Sequence, residues 1–232
     1  MNLSWQIVRL NLKETFSIAY GNYSFREALI ISLKSHNTIG FGECTAIDYY
    51  QINLQDFVQK LVIIKKQIEV QKINQPFEFY NFLLTLELPS FLRSALDCAY
   101  WDLFGKLENN SFLELNSIEI KEIPESSITI SIDSIENQIQ KIEKSSWNKF
   151  KVKCNNFNES TIKSLLEISY DIAIDSNGSF EKESCAWLQN EISSEKFSYL
   201  EQPMKKGIEH YSILHSDKYA NWMADEDCQD ET

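Results

Sequence analysis

Over residues 5–13 the side chains alternate, Ile7, Arg9 and Asn11 falling on one side and Val8, Leu10 and Leu12 on the other, the period of two of a β-strand. Residues 28–34 and 39–46 read as two more strands, with His36-Asn37-Thr38 as a tight connection between them. The polar and aromatic runs 19–24 and 46–51 read as loops. The period then changes. Phe57, Val58, Leu61, Val62, Ile64 and Ile68 recur at helical spacing over 54–70, and Pro76 suits the first turn of a short helix through Leu84. Pro89 opens a third helix whose broad apolar face carries Phe91, Leu92, Ala95, Leu96, Ala99, Tyr100, Leu103 and Phe104. Gly105 is expected to stop or cap it. Residues 1–115 therefore read as an α+β unit, a three-stranded sheet followed by helices.

From about residue 127 the rhythm is different. Strand-like 128–132, 149–154, 171–175, 197–201 and 221–225 alternate with helical 134–144, 159–169, 181–192 and 208–214, as in parallel βα units. An open doubly wound sheet and an eight-stranded barrel both fit this alternation. No glycine-rich phosphate loop follows the first strand, which weakens a dinucleotide-binding sheet. A complete barrel takes roughly 250 residues, so a barrel here is expected to reach only its fifth strand within residues 116–232.

Composition narrows the function classes. The 232 residues carry 22 Lys and Arg against 34 Asp and Glu, a net charge of −12. So acidic a chain repels phosphate backbones and anionic lipid, which argues against nucleic-acid and membrane-surface roles. No apolar run approaches the roughly 20 residues of a membrane span, and residues 1–10 alternate like a strand rather than like a signal peptide. Five scattered cysteines without a CxxC pair read as reduced thiols, and the expected location is cytoplasmic.

Chemistry gathers at the strand ends of the second half. In Phe150-Lys151-Val152-Lys153-Cys154 the two lysines share one face and the apolar set the other. Taken alone, this fits an edge strand with a solvated lysine face; in a barrel, both lysines point inward. The next strands end in Asp175, Glu201 and Asp225, spaced 26 and 24 residues apart, one βα unit each. Carboxylates at the carboxyl ends of consecutive strands converge at a barrel mouth, where active sites of that fold lie. All-oxygen ligation of a cation that relieves their repulsion favours Mg²⁺. His36, His210 and His215 are too scattered for a zinc site, and Ser176-Asn177-Gly178-Ser179 is not a nucleophile elbow. His215 reads as a surface or cap histidine.

Lys151-Val-Lys153, Asp175-Ser-Asn177, Glu201-Gln-Pro203, the stretch from Ala224 to Gln229, and the helix from Arg93 through Asp97, Trp101 and Asp102 to Lys106 together resemble the enolase superfamily, in its muconate-lactonizing and dipeptide-epimerase branch. The resemblance implies an N-terminal α+β capping domain followed by an incomplete α/β barrel of modified TIM type. It implies abstraction of the proton α to a carboxylate, with a small carboxylate or dipeptide substrate, of Ala-Glu type by the stretch 224–229. Asp175, Glu201 and Asp225 would hold Mg²⁺. Lys153 would be the acid/base on one face of the α-carbon, and Lys151 would lower its pKa. Asn177 and Glu226 would orient the ligands or Lys153. Loops 19–25 and 46–51, with Tyr20 and Tyr49, would close over the mouth and select the substrate, and Arg26 is a candidate for an acidic substrate group. The same metal and lysine set would serve an o-succinylbenzoate synthase or a cycloisomerase, and a non-catalytic remnant that binds the metal is the reading from a different class. The opposite-face lysine of an epimerase belongs on a sixth strand, beyond Thr232. On the sequence the chain is thus expected to be a truncated product that does not epimerise by itself; a homo-oligomer is left open.

Overall fold

Two units make up the computed structural model, which describes residues 1–191, 196–214 and 221–228. The first comprises residues 1–13 and 24–122, the second residues 14–23 and 123 onward.

In the first unit strands β1 (Asn2–Ile18), β2 (Gly21–Ser35) and β3 (Thr38–Thr45) lie in that order, with β2 and β3 antiparallel and Ser35 opposite Thr38. His36 takes a left-handed φ of 51° in the connection between them. Four helices follow: α1 (Leu54–Glu69), α2 (Pro76–Leu84), α3 (Ser90–Glu108) and α4 (Phe112–Leu115). Leu29, Ile31 and Leu33 of β2 pack with Leu61 and Ile68 of α1, Leu83 of α2, and Leu92, Leu96 and Leu103 of α3, all without solvent exposure. Helix α3 approaches β3 so closely that only glycine fits beneath it. A Cβ on Gly40 would stand 2.2 Å from the Ala99 carbonyl oxygen, and one on Gly42 1.9 Å from that of Ala95.

Two expectations for this part of the chain are corrected. The run 19–24 is not an open loop: the strands extend to Ile18 and from Gly21, leaving a two-residue turn at Ala19-Tyr20. Backbone pairing across a hairpin is indifferent to side-chain polarity, which is why a polar, aromatic run hid a strand. Gly105 neither stops nor caps α3, which runs on to Glu108 and ends on Asn109, left-handed at φ 53° with its N–H donating to the Gly105 carbonyl. Asparagine tolerates that conformation, whereas Gly105 makes room for the Asn110 carbonyl, 2.9 Å from where its Cβ would be.

The second unit is a parallel α/β sheet, a partial barrel. Strands β4 (Ile128–Ile130), β5 (Lys149–Lys153), β6 (Asp171–Asp175), β7 (Leu200–Glu201) and β8 (Trp222–Met223) lie side by side in sequence order. Helices α5 (Ile135–Glu143), α6 (Glu159–Glu167) and α7 (Lys182–Glu191) alternate with them, and a 3-10 turn spans Ile208–Ile213. Ser134 and Asn158 cap α5 and α6 by accepting from Asn137 N–H and Thr161 N–H. Phe150, Val152, Ile172, Ile174 and Leu200 from the strands pack against Ile142, Ile162, Leu165 and Leu188 from the helices. Strand β5 lies between β4 and β6, so its lysines do not line an edge. The end of the β1–β2 hairpin groups with this unit, Ile132 N–H donating to the Ser17 carbonyl.

All five cysteines are free. Burial pushes the Cys154 and Cys185 thiols up to about 12, so both are core groups rather than nucleophiles. No helix among the described residues is long and apolar enough to cross a membrane. Ile192, His215 and Gln229 lie outside the described residues.

Candidate metal and acid–base site

Parallel pairing builds the site one row at a time. Lys153 of β5 is in register with Asp175 of β6, Asp175 with Glu201 of β7, and Glu201 with Met223 of β8. Residues in register share a face of the sheet. Phe150 and Val152 turn into the helix-packed core, so Lys151 and Lys153 stand on the opposite face. Lys151 is in register with Ala173, whose small side chain leaves room beside the amine.

The polar groups on this face interlock. Lys153 Nζ donates to Asp175 Oδ2, and to Asn177 Oδ1 at 3.1 Å. Lys151 Nζ bonds both Glu201 oxygens at 3.1 Å and stands 3.5 Å from Asp175 Oδ2. Asp175 Oδ1 accepts from the backbone N–H of Asn177, which is left-handed at φ 45°. Asn177 Nδ2 donates to Glu226 Oε1 at 3.1 Å. Tyr20, at the turn of the β1–β2 hairpin, donates its hydroxyl to the same Glu226 oxygen and to the Asn177 carbonyl, each at 2.9 Å. A continuous chain thus runs from Lys153 through Asn177 and Glu226 to Tyr20.

One oxygen from each of Asp175, Glu201 and Asp225 lies within 4.8 Å of the other two. Oxygens at adjacent positions ~2.1 Å from one octahedral Mg²⁺ stand about 3.0 Å apart, so the set would close on such an ion with shifts of about 1 Å for each oxygen. Charge points the same way. Two ammonium groups share the cluster with four carboxylates, those of Asp175, Glu201, Asp225 and Glu226. Burial, and next the charge of Asp175, push the Glu201 carboxyl up to about 7 against the pull of Lys151. Burial pulls hardest on Lys151, but the charge and hydrogen bonds of Glu201 together with the charges of Asp175 and Tyr199 hold that amine above its ordinary value. Glu226 keeps a buried oxygen, Oε2, without a hydrogen-bond partner. A hard divalent cation matches this excess of carboxylate oxygen.

Of the sequence-derived residues, Lys151, Lys153, Asp175, Asn177, Glu201, Glu226 and Tyr20 are joined by contacts, and Asp225 stands with the other two carboxylates. Arg26 and Tyr49 belong to the first unit. Arg26 is on β2, and Tyr49 sits in a 3-10 turn (Asp48–Tyr50), its ring edge-on to Tyr50 at 4.9 Å. Three contributors were not given a role from the sequence. Gln138 of α5, 2% exposed, donates to the backbone carbonyls of Ser131 and Lys153, fixing the end of β5. Ser176 Oγ donates to the Gln202 and Pro203 carbonyls, tying β6 to β7. Gln202 bridges β7 and β8. Ser176 and Gln202 lie inside the motifs Asp175-Ser-Asn177 and Glu201-Gln-Pro203, and for Gln138 the signal is its core-facing placement on an otherwise amphipathic helix.

No family model matches the chain. It is 29% identical to an L-Ala-D/L-amino acid epimerase of Maribacter sp. over 207 residues, 88% of this chain and 61% of that protein. It is 29% identical to the enzyme of the same name from Flavobacterium johnsoniae over 238 aligned positions, 98% of this chain and 69% of that protein. The chain thus spans about three fifths to two thirds of the length of these relatives. Among solved structures, the fold matches that of a dipeptide epimerase from Enterococcus faecalis in complex with Mg and L-Leu-L-Tyr. The TM-score is 0.82 at 19% identity, covering 98% of this chain and 68% of that one.

Proposed function

We propose, from the premise that the chain belongs to the enolase superfamily, that its second unit removes the proton α to a carboxylate, as in a dipeptide epimerase of Ala-Glu type. One observation carries this reading: a buried amine, Lys153, opens onto a row of three convergent carboxylates and is held at Nζ by Asp175 and Asn177. An amine beside a site that gathers negative charge is the arrangement that deprotonating a carbon next to a carboxylate requires, because two negative charges then develop on the substrate oxygens.

Asp175, Glu201 and Asp225 would hold Mg²⁺. When bound, the ion would supply positive charge opposite those two oxygens. Lys153 would take the α-proton at Nζ and return it. Asn177 Oδ1 would orient the amine, itself fixed by Glu226 through its Nδ2. Lys151, bonded to Glu201, would keep a second positive charge along the same face. Tyr20 would hold the hairpin turn against Glu226 and exclude water from the amine.

The test is α-proton exchange in D₂O with L-Ala-L-Glu and L-Ala-D-Glu, using the chain with Mg²⁺. Exchange is expected at the α-carbon of one epimer. It should fall by about 10²–10⁴-fold in Lys153→Ala and disappear with chelator. Full exchange by Lys153→Ala, or none by the parent chain when its divalent-ion site is saturated, would rule the reading out. Exchange of a dipeptide α-proton also separates it from a synthase or a cycloisomerase, whose substrates are not dipeptides.

A further inference from the structure

Asp225 differs from its two partners in how it is held. Asp175 and Glu201 are the buried last residues of their strands, whereas Asp225 lies two residues beyond the two-residue strand β8 and is exposed. A ligand on so short a support needs another anchor, and the polypeptide provides it through Gln202. This side chain is 1% exposed. Its Oε1 accepts from the Asp225 backbone N–H at 2.9 Å. Its Nε2 donates to Asp227 Oδ2 at 2.8 Å and to the Met204 carbonyl at 3.0 Å. Its own backbone N–H donates to the Met223 carbonyl at 2.8 Å. Asp227 is fixed in turn, its Oδ1 accepting from Gly207 N–H at 3.0 Å.

The amide can point only one way. Reversed, its NH₂ would face the Asp225 N–H, and its oxygen would face a carboxylate and a carbonyl. The backbone at Gln202 is left-handed, at φ 36°, a conformation that costs a residue with a Cβ and persists only where its surroundings impose it. A buried, strained residue with both amide ends matched, bridging the ends of two adjacent strands, is built for position.

We infer that Gln202 is a positioning residue of the divalent-ion site: it locks Asp225 to Glu201 so that the two carboxylates are held as one unit, with Asp227 as the anchor of its amide. The inference rests on the metal-site reading above. Glutamate at this position would lose the donors to Asp227 and Met204, methionine would lose every side-chain bond, and asparagine would be too short to span the gap.

Mn²⁺ is the probe, titrated into the full chain and followed by the paramagnetic signal of the free ion. Backbone amide exchange at Asp225 is measured separately in the metal-free chain. Gln202→Met is expected to weaken Mn²⁺ binding by about 10–100-fold and to strip protection from the Asp225 amide, with the far-ultraviolet spectrum of the parent. Gln202→Glu sets two carboxylates against each other and should behave likewise. Adding Asp227→Asn to Gln202→Glu restores a donor opposite an acceptor and should recover much of the loss. Parent-like Mn²⁺ affinity and Asp225 protection in folded Gln202→Met overturns the inference. So does a double variant that binds no better than Gln202→Glu alone, which decides the matter if Gln202→Met does not fold. A parent chain that binds no Mn²⁺ removes the metal reading, and protection at Asp225 in Gln202→Met then decides whether the clamp exists.

Discussion

At the scale of single residues the chain spends stability at positions unrelated to its core. Asp97, on α3, buries a carboxylate oxygen, Oδ1, that has no hydrogen-bond partner, and burial raises its pKa. A carboxyl raised by folding contributes stability that is fully present below its unfolded pKa and is lost as the pH rises through its folded value. Asp97→Asn, which has no charge to bury, should therefore gain on the parent as the pH rises from about 4 to 7. Urea unfolding of both proteins across that range checks this; a gap that does not change with pH would show that the Asp97 charge carries no penalty. Lys151 and Lys153 are legible from the sequence alone, because the period of two puts both on the face opposite Phe150 and Val152. The hydrogen bonds of Lys153 to Asp175 and Asn177 are not. They depend on register between strands whose bonded residues lie 22 and 24 positions apart in the chain.

At the scale of elements, close approach decides more than propensity does. Helix α3 lies directly on β3 because Gly40 and Gly42 present no side chain to it, while Ala95 and Ala99 keep its own surface low. A tie at the flank holds the pair in place: Asp102 accepts from Phe41 N–H at 2.8 Å and from Lys106 Nζ at 2.6 Å, and Lys106 also reaches the Ile39 carbonyl. Gly42→Ala would drive a methyl into the backbone carbonyl of Ala95. It should cost more than the usual range of about 1–3 kcal/mol for overpacking, because backbone cannot turn aside as a side chain does. Limited proteolysis of residues 24–122 is the readout, and parent-like resistance would show that the helix can lift away without penalty. The extent of β1 and β2 was invisible for the opposite reason: pairing of backbone groups extended a hairpin through residues whose side chains read as a loop.

At the scale of the whole molecule, the described residues form two cores. One gathers Leu29, Ile31, Leu61 and Leu96, the other Phe150, Val152, Ile172 and Ile174. Phe150 has no exposed surface and packs edge-on to Tyr170 at 5.5 Å. Phe150→Ala should cost about 3–5 kcal/mol, read as lost amide protection at Val152 and Ile174. Leu96→Ala should take about 2–5 kcal/mol from the other core, read at Leu33 and Leu103. Equal loss at all four amides in both variants would contradict two separately packed cores. The acidic balance also belongs to this scale. Net charge argues against phosphate-backbone partners, and the cluster of carboxylates on the second unit is the candidate site for a cation.

Local order along the chain was enough to specify the class of fold, the parallel rhythm of the second half, and the spacing that sets Asp175, Glu201 and Asp225 one βα unit apart. Those follow from periodicity, since side chains alternate along a strand and βα units repeat at a near-constant length. Tertiary structure alone decided how the ends are held. Gln202 reaches the Asp225 backbone, Gln138 the Lys153 carbonyl, and Tyr20 joins Glu226 from 206 positions away. Such bonds depend on side-chain direction and strand register, which no short-range pattern encodes. They exist because buried polar groups must find partners wherever the folded backbone brings them.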